Sequence, residues 1–415
     1  MSKIIIQNGN MCELDLPLKF AQKLYNEFAI RHPNAFYLRT RQRGMQNWDG
    51  KIHYITKTGQ FKIGLLPKVY DMCIEMGIKP KVVDMRQPLP KVSKVVTNIG
   101  KYKLRPEQEK AVKSVINNKV GNTPFHIGVL DYTVNAGKTL IMSSLYLSYK
   151  KQLKTLLITN DSDWLNQARE EFKQYLPGED ITFVQGKVLN WSNFTIGMVQ
   201  SISRNMRFYQ KELSQIDMVL VDEADQGGSK QYQNVITRLF NTRIRIGLSG
   251  TIYMSKLAKD RVKNMNLECF FGKVIAEFKL KDSIKKGYST KTVVKMVPGK
   301  PWYGNWESDC ISYKEIYDDS ITNCYTAWLM AYNRLLWNLN QGRYPALVVC
   351  KHIAHCENLY KFFKKKLGDA YNIAYVHVNT PSKLRQQIMK DFREGKIDIL
   401  VSTTIIARGK NFPKL

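Results

Sequence analysis

No stretch of this sequence approaches the about 18 consecutive apolar residues that a membrane-spanning helix requires. Its opening, Met1 to Asn10, lacks the basic flank, apolar run and small-residue cleavage site of a secretory signal. Cysteine is sparse and unpatterned. Cys12, Cys73, Cys269, Cys310, Cys324, Cys350 and Cys356 are scattered, odd in number and never spaced as Cys-x-x-Cys. That spacing fits neither a disulfide framework nor a zinc ribbon, and it points to a reducing, cytoplasmic setting. Tracts of low complexity and repeats of fixed period are also missing, which sets aside solenoids and disordered tails. Acidic residues are the last shortage: the 415 residues carry 35 Asp plus Glu against 64 Lys plus Arg, a net charge of +29 at pH 7.

A basic surplus of that size predicts a polyanionic partner, with nucleic acid ahead of an anionic membrane surface. Hydrophobic residues make up 44% of the chain, enough for a sizeable core, and the length suits two or three domains. Residues 1–95 read as a separate α+β unit. A helix is predicted near Pro17 to Phe28, where Leu18, Ala21, Leu24 and Phe28 fall at helical spacing. Extended runs follow at Ala35 to Arg39 and Lys51 to Ile55, joined by the turn residues Asn47 to Gly50. Phe61 to Leu65 continues a small antiparallel sheet, and Pro67 opens a helix to about Met76. The unit carries 16 Lys plus Arg against 7 Asp plus Glu. Arg39, Arg41 and Arg43 alternate, so on a strand they would share one face suited to a DNA phosphate backbone. A solvated strand face fits the same pattern. Pro80 to Lys94, with Pro88 and Pro90, reads as a linker.

Beyond the linker the rhythm changes to alternating strands and helices. Apolar strands are predicted at Ile127 to Leu130, Thr155 to Thr159, Thr195 to Met198, Met218 to Val221 and Arg245 to Leu248. A second series runs through Ala346 to Cys350, Asn372 to Val376 and Ile397 to Ser402. Continuous apolar strands between helices indicate parallel sheets covered on both faces. The expected fold is α/β: a small basic α+β unit (1–95), then two parallel-sheet domains (96–280 and 281–415), the second incomplete.

Tyr132-Thr133-Val134-Asn135-Ala136-Gly137-Lys138-Thr139 follows a strand and precedes a helix. Asn135, Ala136 and Gly137 would bring backbone N–H groups to a phosphate at a helix N-terminus, with Lys138 on the β- and γ-phosphates and Thr139 on Mg²⁺. Tyr132 stands where a general P-loop has its first glycine, either as a structural plug or as a ligand contact. The strand Met218 to Val221 ends in Asp222-Glu223-Ala224-Asp225. A phosphoryl-transfer site needs one carboxylate for the metal and one to position water; Asp222 suits the first role and Glu223 the second.

In the order of its motifs the chain resembles the superfamily-two helicases, which fold as two RecA-like domains around ATP and Mg²⁺. Leu104-Arg105-Pro106-Glu107-Gln108 resembles that family's adenine-contacting segment, which implies that role for Gln108 with help from Arg105. Gly247-Leu248-Ser249-Gly250-Thr251 resembles the motif coupling hydrolysis to DNA binding, with Gly250 where Ala is usual. Asn160, Gln200 and Ser201 occupy the places where such motors touch the strand backbone. Ala346 to Lys351 fits the first strand of the second RecA-like domain, with Lys351 beside DNA. Phe392 to Thr404 resembles the run into the fifth motif, implying phosphate contact for Thr403 and nucleotide contact for Arg408 and Gly409. Asn411 replaces a customary Asp. Asn47 to Ile52, Gly64-Leu65, Phe271-Gly272, Gly287 and Lys351-His352 with His355 resemble the UvsW-type branch-migration helicases of tailed phages. The resemblance implies forked or branched DNA as substrate, roles in replication, recombination and repair, and a host-cell cytoplasmic location. It points to no protein partner. The sixth motif, with its arginines, is expected beyond Leu415.

Three further signals are present in the sequence. His352, His355 and Cys356 have partial metal-site spacing without a fourth ligand cluster, and packing or DNA contact suits them better. Trp302, Tyr303 and Trp306 could stack on bases or anchor their loop. The tetrapeptide Asp222 to Asp225 is also the emblem of a large group of RNA helicases, so an RNA motor is the alternative. That group usually has Ser-Ala-Thr where Ser249-Gly250-Thr251 stands.

Overall fold

The computed structural model describes residues 2–41, 45, 47–149, 152–160, 162–252, 258–291, 294, 296 and 312–406. Two compact units emerge, Met1–Lys291 and Thr292–Leu415.

The first unit is built on seven parallel strands. Their order across the sheet is Ile181–Val184, Phe194–Met198, Thr155–Thr159, Met218–Asp222, Ile244–Ser249, His126–Tyr132 and Val274–Phe278. The five predicted strands of this series lie inside it. Its two remaining strands were not foreseen, because Ile181–Val184 and Val274–Phe278 are amphipathic edges rather than apolar runs. Every residue of His126–Tyr132 is buried, as expected of a strand covered on both faces. Successive side chains serve opposite cores: Leu156, Ile158, Val219 and Val221 face one way, Leu157 and Leu220 the other.

The core on one face is continuous with the N-terminal residues. Ile4, Ile6, Leu65, Leu66 and Val69 belong to the same apolar cluster as Ile127 and Val129. Residues 1–95 thus lie on the sheet, within the first compact unit. Gly64 shows how closely: a Cβ there would lie 2.1 Å from the Glu268 carbonyl oxygen, so only glycine permits the approach.

Several details of this region correct the sequence reading. Ala35–Arg41 is a helix, not a strand. Its buried Ala35 and half-buried Leu38 are three apart, a helical period that the arginine alternation masks. Lys3–Ile6 and Met11–Asp15 are strands, and Lys81–Asp84, inside the expected linker, pairs in parallel with Lys3–Ile6. The sheet is therefore mixed rather than antiparallel. The rest of the linker stretch is also engaged: Leu89 and Val92 pack against the core on the opposite sheet face.

In the second unit the parallel strands run in the order Ala346–Cys350, Ile399–Thr403 and Ile373–Val376, close to the predicted spans. His355 and Cys356 are buried on the helix Ile353–Leu367, and Cys356 belongs to the core with Cys350 and Phe363.

Candidate functional site

The phosphate-cradle motif sits at the C-terminal end of His126–Tyr132, where open parallel sheets place ligands. Asn135 (φ 64°) and Gly137 (φ 74°) both adopt left-handed backbone before the helix Lys138–Ser148 begins. Gly137 is required twice over. Its conformation disfavours a side chain, and a Cβ would lie 2.2 Å from Gln108 Nε2. Gln108 is buried and spans two elements. Its Oε1 accepts the Arg105 N–H at 2.8 Å, and its Nε2 donates to the Ala136 carbonyl at 2.9 Å. Arg105 Nη2 donates to the Asn135 carbonyl at 3.1 Å. These two residues therefore brace the loop from behind. Tyr132 is a plug: it is fully buried, donates to the Glu107 carbonyl at 2.8 Å and packs near Phe278.

Met218–Asp222 ends two strands away from the cradle, with Ile244–Ser249 between them. Lys138 Nζ nevertheless reaches to 3.9 Å from Asp222 Oδ1. Burial pushes the Asp222 carboxyl above the usual range, against the opposing pull of Lys138 and the Glu223 N–H. Its Oδ1 is buried without a hydrogen-bond donor. A desolvated carboxylate oxygen without a donor fits a hard divalent cation such as Mg²⁺. Glu223 follows in left-handed backbone (φ 50°), a strained conformation of the kind that clusters at functional sites. Ser249 Oγ donates to Asp225 Oδ1 at 3.1 Å and accepts the Thr251 N–H at 3.1 Å. The Gly-Leu-Ser-Gly-Thr segment and the acidic tetrapeptide are thus directly joined.

Among the expected strand contacts, Asn160 ends the strand Thr155–Thr159, and Gln200 and Ser201 open the helix Val199–Arg204. Gln200 Nε2 donates to the Asn160 carbonyl at 3.2 Å. Ser201 uses its carbonyl to accept the Asn205 side-chain amide at 2.8 Å. Arg39 and Arg41 are exposed, but on a helix two residues apart they face different directions. Arg41 lies over the Tyr37 ring at 4.7 Å. In the second unit Lys351 Nζ donates to Tyr313 Oη at 3.0 Å, and Thr403 is buried at its strand's end. Arg43, Arg408, Gly409, Asn411 and the Trp302, Tyr303 and Trp306 loop lie outside the described residues.

Residues 101–254 match the family described as type III restriction enzyme, res subunit. Residues 329–415 match the helicase conserved C-terminal domain. Together the two matches indicate a superfamily-two helicase. Its fold is that of the UvsW helicase from bacteriophage T4. One such structure is 20% identical with a TM-score of 0.52, covering 67% of this chain and 99% of that one. A second T4 UvsW structure is 19% identical with a TM-score of 0.52, covering 100% of this helicase and 82% of that chain. The ATP-dependent RNA helicase RhlB of Shewanella woodyi is 36% identical over 78 residues, 18% of this chain and 17% of that protein. The competence protein ComFA of Bacillus subtilis is 22% identical over 281 residues, 68% of this helicase and 53% of that protein. The chain therefore spans only a small part of RhlB and about half of ComFA.

Two features of the helicase site have no counterpart in the sequence reading. Tyr288 lies under the Arg105 guanidinium at 4.2 Å, and Lys286 donates to Glu107 Oε2 at 2.7 Å, flanking the brace on Gln108. Gln226 bonds both Asn160 and Glu223. A position one residue after the tetrapeptide was the only available hint for Gln226. Tyr288 lies far from Arg105 in sequence, and only the fold brings them together.

Proposed function

We propose that the chain is an ATP-dependent DNA helicase or translocase that unwinds or branch-migrates forked and junction DNA. The observation that carries the reading is the approach of Lys138 to a buried Asp222 whose Oδ1 has no donor, at the sheet edge that also bears Glu223. In this reading the backbone of Asn135, Ala136 and Gly137 receives the phosphates and Lys138 neutralises their charge. Thr139 and Asp222 hold Mg²⁺, which supplies charge neutralisation when bound. Glu223 orients the attacking water and takes up its proton. Arg105 and Gln108 brace the loop on the adenine side, and the family resemblance assigns nucleotide contact to Arg408 and Gly409.

Residues 1–95 act as a basic module for duplex DNA through Arg39, Arg41 and Arg43, followed by motor domains at 96–280 and 281–415. Asn160, Gln200, Ser201, Lys351 and Thr403 contact the strand. Forked DNA as substrate is supported by the fold shared with a phage T4 helicase over the whole chain and by the net charge of +29. With such a substrate the chain would serve recombination and repair in a host cytoplasm. The likeness to RhlB favours a second reading, an RNA helicase.

The test compares ATP turnover of the full chain with RNA, single-stranded DNA and forked DNA. Stimulation by forked DNA is expected, and stimulation by RNA alone would reverse the reading. Lys138→Ala is expected to abolish turnover while DNA binding persists; undiminished turnover would remove Lys138 from its role.

A further inference from the structure

Four side chains connect the proposed strand contacts to the proposed water-positioning carboxylate. Gln200 Nε2 donates to the Asn160 carbonyl at 3.2 Å. Asn160 Nδ2 donates to Gln226 Oε1 at 2.5 Å. Gln226 Nε2 in turn donates to Glu223 Oε2 at 3.5 Å. At the upper limit of hydrogen-bond length, the last contact is the weakest of the three. All four residues are only partly buried, so none is locked in the core. They come from three segments at the C-terminal edge of the sheet: Asn160 just after Thr155–Thr159, Gln200 at the start of Val199–Arg204, and Glu223 with Gln226 in the turn after Met218–Asp222.

We propose that Gln226 is a positioning residue that holds the Glu223 carboxylate when no strand is bound and releases it when a strand engages Asn160 and Gln200. The inference rests on the proposed reading of Asn160 and Gln200 as strand contacts. An amide is well suited to the task. It must accept from Asn160 and donate to Glu223 at once, and a single rotation of its end breaks both bonds. The chain is open at its outer end, because Gln200 Oε1 is buried without a donor. Turning the Gln200 amide towards a strand phosphate therefore sacrifices no bond at Oε1 and frees the Asn160 carbonyl. Asn160 can then shift away from Gln226. The consequence is a motor whose hydrolysis waits for its track.

The experiment uses the full chain with Gln226→Ala and Gln226→Met, the latter filling the same space without polar atoms. Turnover is measured with and without saturating single-stranded DNA. KM for ATP is measured alongside, as is strand affinity by fluorescence anisotropy without nucleotide. Both variants are expected to raise strand-free kcat and to lower the ratio of stimulated to strand-free kcat by about threefold or more. KM for ATP and strand affinity should change less than that ratio. Wild-type behaviour of Gln226→Met would reduce Gln226 to a packing residue and overturn the proposal, as would an unchanged ratio in both variants. Failure of the reading beneath it looks different: Asn160→Ala and Gln200→Ala would then leave strand affinity intact, or the unaltered chain would show no stimulation by any nucleic acid. Either result removes the relay as well.

Discussion

Arg245, on a central strand of the first sheet, donates from Nη2 to the Gly9 carbonyl at 2.6 Å. The same guanidinium donates to Asn10 Oδ1 at 2.8 Å and to the Phe270 carbonyl at 3.1 Å, and it is fully buried. Burial pulls its pKa down to about 9, a sign of how strongly the site resists a charge. Hydrogen bonds offset that cost and tie residues 1–95 to the motor sheet. Arg245→Met keeps most of the volume and removes the donors. Each buried acceptor left unpaired costs about 1–3 kcal/mol before relaxation. A lower denaturation midpoint is expected, with early proteolytic cleavage in residues 1–95. An unshifted midpoint would mean that the three acceptors find other donors.

Gly250 replaces the alanine usual in this motif, and the structure supplies a reason. A Cβ there would lie 3.1 Å from Thr133 Cα and 3.2 Å from the Tyr132 carbonyl oxygen, both backbone atoms at the mouth of the phosphate cradle. With little room to give, Gly250→Ala should displace Thr133. A loss of about 1–3 kcal/mol is expected, read as a lower melting temperature together with weaker nucleotide binding. Unchanged binding and melting would show that the cradle yields without cost.

The parts of this molecule that were legible in advance are those with continuous apolar strands and motif-bearing edges. Thr155–Thr159 was predicted to the residue because a central parallel strand writes its burial as an unbroken run; the edge strand Ala346–Cys350, half-exposed, was readable only because its run is nonetheless wholly apolar. The N-terminal sheet was harder to read. Lys3–Ile6 and Lys81–Asp84 pair across nearly the whole of that region, and a four-residue strand next to proline carries no local signature. Ala35–Arg41 was misread because three arginines at alternate positions imitate a strand face. At the candidate site, Lys138, Asp222 and Glu223 stand out in the sequence because their motifs close apolar strands. Gln226 does not, since its bond to Asn160 joins positions 66 apart that only the fold brings close.

Asp222 makes stability and chemistry pull in opposite directions. Its folded-state pKa is raised above the unfolded value, so its contribution is fully present at pH below the ordinary carboxyl value of 3.8. That contribution is lost as pH rises through the folded pKa. At pH above the folded value the ionised, desolvated carboxylate therefore destabilises the nucleotide-free protein. Asp222→Asn should raise its melting temperature, by about 2–4 °C for each kcal/mol recovered in a domain of this size. The same variant should lose ATP turnover and the thermal gain from magnesium nucleotide that the unaltered protein shows. If Asp222→Asn instead melts lower, the pull of Lys138 outweighs burial and the direction of the shift is wrong.

The helix at Ala35–Arg41 changes what its arginines can do. Arg39 lines a hollow of about 550 Å³ with Arg31, Lys51 and Phe36, whereas Arg41 stacks on Tyr37 and also donates to its hydroxyl at 3.3 Å. A strand face would have set both arginines equally against one phosphate backbone; a helix lets only one of them follow it. Removing a cation that neutralises one phosphate of duplex DNA lowers the slope of log affinity against log salt by about 0.9. Arg39→Ala should show a drop of that size and Arg41→Ala a clearly smaller one, measured by anisotropy on duplex DNA over a salt series. Equal drops would mean that DNA binding reshapes the helix, and no change in either variant would move the duplex contact elsewhere on the basic surface.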